Sequence, residues 1–398
     1  MAEPEPAPRP ALGLVLLAVA TAVPTFSMHV LVPALPAAAR ALDATPAQIQ
    51  LTVSLYLLGL AFGQILHGPL SDRIGRRPVI LGGFAVYLVG TIAAFLAPSL
   101  PLLLAARVLQ SLGSCAGLVV ARAAIRESSS AGGAAAGLAV LTFTISLSSA
   151  VAPLVGSAIE LLFGWRMIFV VLLVVAGALT ALLHARFAET NLAPSAGLGI
   201  AGMARSFARL GVSPVFLGYS LCGAAATVTV YAFYAALPFL VAEELPGAVR
   251  AVAFVYLGVV SGSMVGALAA RRASRRIGLG RMTGFGVAGT LLAALAFLAG
   301  RALWPDSLAT IVVPLFGLTF AGGFVAPAAA TLAMGVDRTA VGAGSSLYGF
   351  IQMALGALVT LLVGLFGHGS LPVGAIVLGS MLAGAAGLWV ARRAARPA

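Results

Sequence analysis

An all-helical, polytopic membrane protein is the fold class this sequence predicts, with twelve transmembrane helices in two pseudo-symmetric six-helix halves. Three observations predict it. Sixty-one per cent of the 398 residues are apolar and nine per cent are charged. A water-soluble domain could not bury that much apolar surface. Twelve segments reach the roughly 20 apolar residues that a helix needs to cross a bilayer. The basic residues collect in alternate joints between those segments.

The segments run over 11–36, 47–71, 78–98, 101–125, 134–160, 165–187, 212–242, 249–271, 279–300, 307–333, 340–366 and 371–392. Before segment 1, MAEPEPAPRP is Pro-rich and lacks the positive n-region of a secretory signal, so segment 1 reads as retained. Segments 1 and 7 are long and carry Pro24, Pro33 and Pro238, which predicts bends or extracellular extensions there. Between segments 6 and 7 lies a stretch rich in Gly, Ala, Ser and Pro, near the middle of the chain. It predicts three parts: an N-terminal half over 1–187, a cytoplasmic linker over 188–211 and a C-terminal half over 212–398. A faint repeat supports the division. SDRIG at 71–75 returns as SRRIG at 274–278, and ALP at 34–36 returns at 236–238.

The net charge of +12 would suit a nucleic-acid partner, but its distribution does not. All 23 basic residues are Arg. Eighteen fall at the termini and after the even-numbered segments, against Arg40, Arg166, Arg250 and Arg301 on the other side. That asymmetry predicts cytoplasmic termini and the lipid bilayer as the surrounding partner. Cys115 and Cys222 lie in different halves inside apolar segments and predict no disulfide. A chain without Lys has no P-loop, and no His, Cys or Asp cluster has metal-ligand spacing, so neither metal nor cofactor is expected. No arrangement of nucleophile and base suggests an enzyme.

After segment 2 the chain reads GPLSDRIGRRP, residues 68–78. Gly68, Asp72, Arg73, Gly75, Arg76 and Arg77 resemble the signature loop of the major facilitator superfamily. Gly68 permits close helix approach. Asp72 can accept from an Arg or from a helix N-terminus across the interface between halves. Gly75 allows a tight turn, and Pro78 suits the start of the next helix. The resemblance implies that these residues form a latch holding one conformation.

Further stretches narrow the likeness. LYLLGLAFGQILHGPLSDRIGRRPVIL (55–81), RVLQSLGSCAGLVVARAAIRE (107–127), GWRMIF (164–169), AET (188–190) and GSSLYGFIQ (344–352) resemble the Bcr/CflA-type drug–proton antiporters, a branch that includes chloramphenicol and florfenicol exporters. The resemblance implies the major facilitator fold in a bacterial cytoplasmic membrane. It implies a monomer that exports small amphiphilic compounds in exchange for protons. An exporter of an endogenous metabolite and an uncoupled facilitator are the rival readings.

Arg107 and Gln110 resemble the family's R-x-x-Q-G motif in segment 4, with Ser111 in place of the glycine. A charged Arg at membrane depth should face the protein interior and be solvated by polar partners. Its implied role is to bias a titrating group or an anionic substrate moiety. SSAVAPLVGSAIE at 148–160 resembles the antiporter motif, keeping Pro153 and Gly156 but replacing two glycines by Ala152 and Ser157.

Aligning the family's D-x-Y-L-P-A-L-P pattern through Pro33–Pro36 places its acid at His29. Eleven acids occur in the chain, and by the segment spans none is mid-membrane. His29 is therefore the candidate proton carrier, titrating by nature near pH 6.5. The rival for His29 is a neutral ring donating one hydrogen bond within its helix. Substrate-facing candidates are His29, Gln110 and, in segment 7, Tyr231, Phe233 and Tyr234. By the repeat, Tyr231 is the pseudo-equivalent of His29.

Overall fold

Prolines and glycines set where the helices start and stop. The computed structural model describes residues 11–127, 131–191, 199–245, 252–337 and 341–395. Fourteen α-helices occur among them: α1 Ala11–His29, α2 Leu35–Ala41, α3 Pro46–Ile74, α4 Arg76–Leu96, α5 Leu100–Glu127, α6 Ala131–Phe163, α7 Met167–Arg186, α8 Gly199–Gly211, α9 Pro214–Glu244, α10 Val252–Ile277, α11 Leu279–Leu303, α12 Ala309–Met334, α13 Val341–Phe366 and α14 Ser370–Ala394. Eleven helical spans among the described residues are long and apolar enough to cross a membrane. α10 is the twelfth long apolar helix by sequence pattern, with Arg271, Arg272, Arg275 and Arg276 near its end. No strand occurs among the described residues.

Segment 1 is broken, but not at Pro24. Pro24 sits inside α1, which ends at His29, and a short 3-10 turn over Val32–Ala34 leads into α2. Pro33 and Pro36 withdraw two backbone donors in quick succession, which stops the first helix and starts the next. Segment 7 is not broken at all, because α9 runs through Pro238. The N-terminus of α3 carries a capping box: Gln48 N donates to Thr45 Oγ1 at 3.2 Å, and Thr45 N donates to Gln48 Oε1 at 2.9 Å. Ser213 caps α9 by accepting from Phe216 N at 3.3 Å, with Pro214 in the first turn. Within the expected linker, residues 188–191 are irregular, residues 192–198 lie outside the described residues, and Gly199–Gly211 forms α8.

Contacts divide the described residues into two compact units. One comprises the chain up to Leu31 together with Phe62–Ile200, the other Val32–Ala61 together with Ala201 onward. The second unit thus takes in 32–61 from the first half of the sequence.

In the first unit, α4 and α5 approach through glycines. A Cβ at Gly113 would lie 2.4 Å from Gly83 O, and one at Gly83 would lie 2.3 Å from Ala116 Cβ. α1 packs against α5 at Gly117, where a Cβ would sit 2.4 Å from Ala20 O. That carbonyl belongs to the residue four before Pro24, so its usual helical donor is missing, and the bare Gly117 backbone can close on it. Leu17, Phe84, Tyr87, Val120 and Leu183 form part of the buried core.

In the second unit, α9 is the buried centre, flanked by α12, α13 and α14. Leu210, Phe216, Tyr219, Cys222, Val325 and Leu388 share one core there. The stretch 46–61 packs on α13, where Ser54 Oγ meets Thr360 Oγ1 at 2.9 Å. The carbonyl freed by Pro238, that of Tyr234, accepts from Tyr256 Oη at 3.4 Å. The sequence repeat has a structural echo. Gly75 precedes α4 with φ 104° and Gly278 precedes α11 with φ 75°. Both conformations favour glycine.

Candidate functional site: a buried arginine ring and an arginine–carboxylate cluster

Two polar assemblies stand out in the first unit. The deeper one centres on Arg107, which is fully buried two turns into α5. Its Nη1 donates to Gln110 Oε1 at 2.6 Å and to Ser27 O at 3.2 Å. Gln110 Nε2 donates to Thr91 Oγ1 at 2.8 Å, and Thr91 Oγ1 donates to Tyr87 O at 2.7 Å. Tyr87 Oη then meets Ser27 Oγ at 2.7 Å. The chain of bonds closes on itself and ties α1, α4 and α5 together. A buried guanidinium needs such partners, and the two on Nη1 are neutral dipoles. Segment 4 announced Arg107 and Gln110. Ser27, Tyr87 and Thr91 carried no signal of their own, beyond Tyr87 and Thr91 sharing one helix face.

His29 lies two residues beyond Ser27, at the last turn of α1. It is buried, and its Nδ1 donates to Thr25 O at 2.8 Å. The carbonyl can only accept, so Nδ1 carries the proton and Nε2 is the basic nitrogen. The negative end of the α1 dipole lies at this ring. Against α1 runs α6, with a stripe of small residues. Ser148 Oγ donates to Ala22 O at 3.2 Å, Ala152 is buried, and a Cβ on Gly156 would come within 1.9 Å of Val30 O. Gly156 is therefore a contact that only glycine can make. Pro153 lies inside α6 on the same stretch.

The second assembly gathers where α3, α4 and α5 end or begin. Arg76 Nη2 lies 2.5 Å from Asp72 Oδ1 and 2.5 Å from Glu127 Oε1. Its Nε donates to Glu127 Oε2 at 3.3 Å, and its Nη1 donates to Ser71 Oγ. Asp72 was expected to reach across the interface between halves; the partner it has here is Arg76, one turn on within the same unit. The α4 N-terminus is taken instead by Glu189, which accepts from Arg76 N at 2.8 Å and from Arg77 N at 3.0 Å. Thr190 N and Asn191 N add bonds of 2.9 Å each. Burial pushes the Glu189 carboxyl up, but these four backbone donors outweigh it and hold it below its ordinary value. Arg77 Nη2 donates to His184 O at 2.7 Å, and Asn191 Nδ2 donates to Asp72 O at 2.9 Å. Gly68 O accepts from Ser71 Oγ at 3.0 Å, and Arg73 is exposed. Gly75 faces Glu189, and a Cβ there would stand 2.5 Å from its carboxylate.

The segment 7 aromatics have separate neighbours. Phe233 packs edge-on against Phe297 at 5.0 Å, and Tyr234 lies 5.2 Å from Tyr256. Both rings are buried inside the second unit. Tyr231 alone of the three is part-exposed, against Gly356 of α13. One turn away, Gln352 Nε2 donates to Thr227 Oγ1 at 2.7 Å, a polar pair that sequence reasoning missed.

A further cluster was also missed. Arg301 Nη2 donates to Glu244 Oε2 at 2.6 Å and its Nε to Ser370 Oγ at 2.9 Å, while Ser370 N donates to Glu244 Oε1 at 2.6 Å. It joins the ends of α9, α11 and α14. Glu244 and Arg301 both fall at segment ends, which was the available clue.

The family model described as Major Facilitator Superfamily matches residues 17–361. The chain is 28% identical over 364 residues to the Uncharacterized MFS-type transporter YdgK of Bacillus subtilis, covering 88% of each chain. It is 34% identical over 218 residues to a Chloramphenicol resistance protein of Pseudomonas aeruginosa, covering 54% of this chain and 51% of that one. It is 27% identical over 350 residues to Multidrug resistance protein D of Escherichia coli, covering 85% of each. Among solved structures, the peptide transporter POT in complex with alafosfalin superposes with a TM-score of 0.79 at 14% identity, over 96% of this chain and 94% of that one. A bacterial homolog to the human lysosomal transporter Spinster superposes with a TM-score of 0.71 at 17% identity, over 99% and 96%.

Proposed function

Because the chain belongs to the major facilitator superfamily, we propose that it exports small amphiphilic compounds, antibiotics among them, in exchange for protons by alternating access. The relatives named for chloramphenicol and multidrug resistance support the drug class. Both termini lie on the cytoplasmic side in this reading, because that side then holds most of the arginines. The protein works as a monomer and performs no covalent chemistry on its cargo.

One observation carries the proposal: a fully buried Arg107, bonded within a closed polar ring that reaches α1 two residues before His29. An ionisable group kept at membrane depth is costly, and such groups mark the path of a transported ion or substrate. Arg107 holds its charge throughout, so it sets the local potential and does not itself give up a proton. His29 is the group that cycles, between neutral and +1. The ring contains no carboxylate, so a cationic cargo has no counter-ion in it. Neutral, zwitterionic and weakly anionic amphiphiles fit better.

Drug-induced proton movement in everted vesicles tests this. His29→Ala should abolish drug-driven proton flux, and His29→Asp should keep it. Full proton-coupled flux in His29→Ala would sink the proposed role. The second reading, an uncoupled facilitator, has its own support, since the Nδ1 bond to Thr25 O is what a structural histidine makes. In that case drug would move down its gradient in all three proteins without proton flux.

A further inference from the structure

Between α11 and α12 in the second unit an apolar groove opens, with a volume of about 430 Å³. Its floor is small and buried: Gly286, Ala293 and Ala321. Its walls are large: Phe285, Leu292 and Val313, exposed by 66%, 70% and 66%. Walls so exposed and so apolar cannot face water. On helices that cross a bilayer they face lipid.

Two features set the groove apart from an ordinary lipid-facing surface. The first is direction. Arg281, Phe285, Gly289, Leu292 and Ala296 follow one another at helical spacing along a single stripe of α11. Arg281 is exposed at the head of that stripe, on the arginine-rich side of the membrane, one turn before the groove begins. The second is length. From Phe285 to Ala296 the helix rises roughly 16 Å, about half of a hydrocarbon core of roughly 30 Å. That is the depth of one leaflet.

We propose that the α11–α12 groove is a phospholipid site, in which one acyl chain of an anionic phospholipid lies between the two helices with its phosphate at Arg281. The chain supplies the apolar filling, and the guanidinium supplies the fork that matches a phosphate. A second copy of the protein fits the surface less well. A twofold axis normal to the membrane would bring Arg281 toward its own copy at the same depth, like charge against like. The inference rests only on the chain spanning a membrane and is independent of the cargo.

The test uses delipidated full-length protein in detergent, titrated with phosphatidylglycerol or with phosphatidylcholine and read by native mass spectrometry. The wild type should retain one phosphatidylglycerol and hold phosphatidylcholine roughly fivefold more weakly, the scale of one arginine at a membrane surface. Arg281→Gln should erase that preference while leaving binding of the neutral lipid unchanged. Ala296→Trp, which fills the groove from its exposed rim, should lose both lipids. Val313→Trp on the opposite wall replaces it if Ala296→Trp does not fold. Equal retention of the two lipids by the wild type, or undiminished binding in the filled variants, overturns the proposal. A dimer in the wild type that the filled variants lose would overturn it as well, since the groove would then be a protein interface.

Discussion

Removing the Glu189 carboxylate should destabilise the first unit in a way that depends on pH. Gly75, at the N-cap of α4, has no side chain with which to cap the helix. Glu189 takes that place from 113 residues away, accepting from Arg76 N and Arg77 N. Losing a side-chain cap costs about 1 kcal/mol, and losing a carboxylate from a helix N-terminus costs about 0.3–1 kcal/mol more. Glu189→Ala should therefore cost about 1–2 kcal/mol near neutral pH. Glu189→Gln should cost less, because its one oxygen keeps some of the bonds. The native carboxyl is held below its ordinary value by backbone donors, despite burial that pushes it up. Its contribution is then fully present above the unfolded value of about 4.3 and is lost as pH falls through the lower native one. The gap between wild type and Glu189→Gln should be widest near pH 7 and close under acid conditions. Cys115 and Cys222 are both buried, and neither is in a disulfide. Their labelling by a thiol-reactive fluorophore during heating reads out unfolding without added probes. Melting that is unchanged in Glu189→Ala, or a gap to Glu189→Gln that is the same at pH 7 and at acid pH, would refute the capping argument.

Three further outcomes follow from contacts described above. Gly156→Val puts a side chain where even a Cβ would be 1.9 Å from Val30 O; it should force α6 off α1, cost about 1–3 kcal/mol and depress drug export, with Gly156→Ala intermediate in both melting and flux. Tyr256→Phe should cost about 1 kcal/mol in the wild type and much less in a Pro238→Ala background, where the restored backbone N–H at position 238 can donate to Tyr234 O; additive effects in the double-mutant cycle would show that the hydroxyl does not serve that carbonyl. Asp72→Asn removes one of the two carboxylates on Arg76 while Glu127 still holds it; export should fall while drug binding persists, and an equal loss of both would count against a latch.

The spans were legible because a lipid-facing helix must be apolar over a fixed length, and nothing else in the chain looks like that. The α3–α4 joint was legible too, down to Gly75, whose positive φ explains a glycine there. The partners were not. Asp72 could have met any donor near that membrane face. Its bond to Arg76 depends on both residues flanking the turn, while Glu127 and Glu189 arrive from 51 and 113 residues further on. Prolines misled for a physical reason. Pro24 and Pro238 leave a carbonyl without its helical donor, and each time a neighbouring helix covers the loss, through Gly117 in one case and Tyr256 in the other. Such rescue is invisible along one strand of sequence. Pro33 and Pro36 act locally, so the helix ends between them and His29. For Phe233 and Tyr234, residue type could not separate a cavity wall from packing, and the contacts are of packing.

Pro24 and Gly117 illustrate what this means for inheritance. A side chain at 117 would strike Ala20 O, which is exposed to α5 because position 24 has no N–H. The two positions are nevertheless constrained differently. A residue with an N–H at 24 would bond that carbonyl without moving it, and a side chain at 117 would still meet Ala20 and Phe84. Position 24 is therefore free to drift while 117 is not. Among descendants of this gene, glycine at 117 should persist whether or not proline at 24 does.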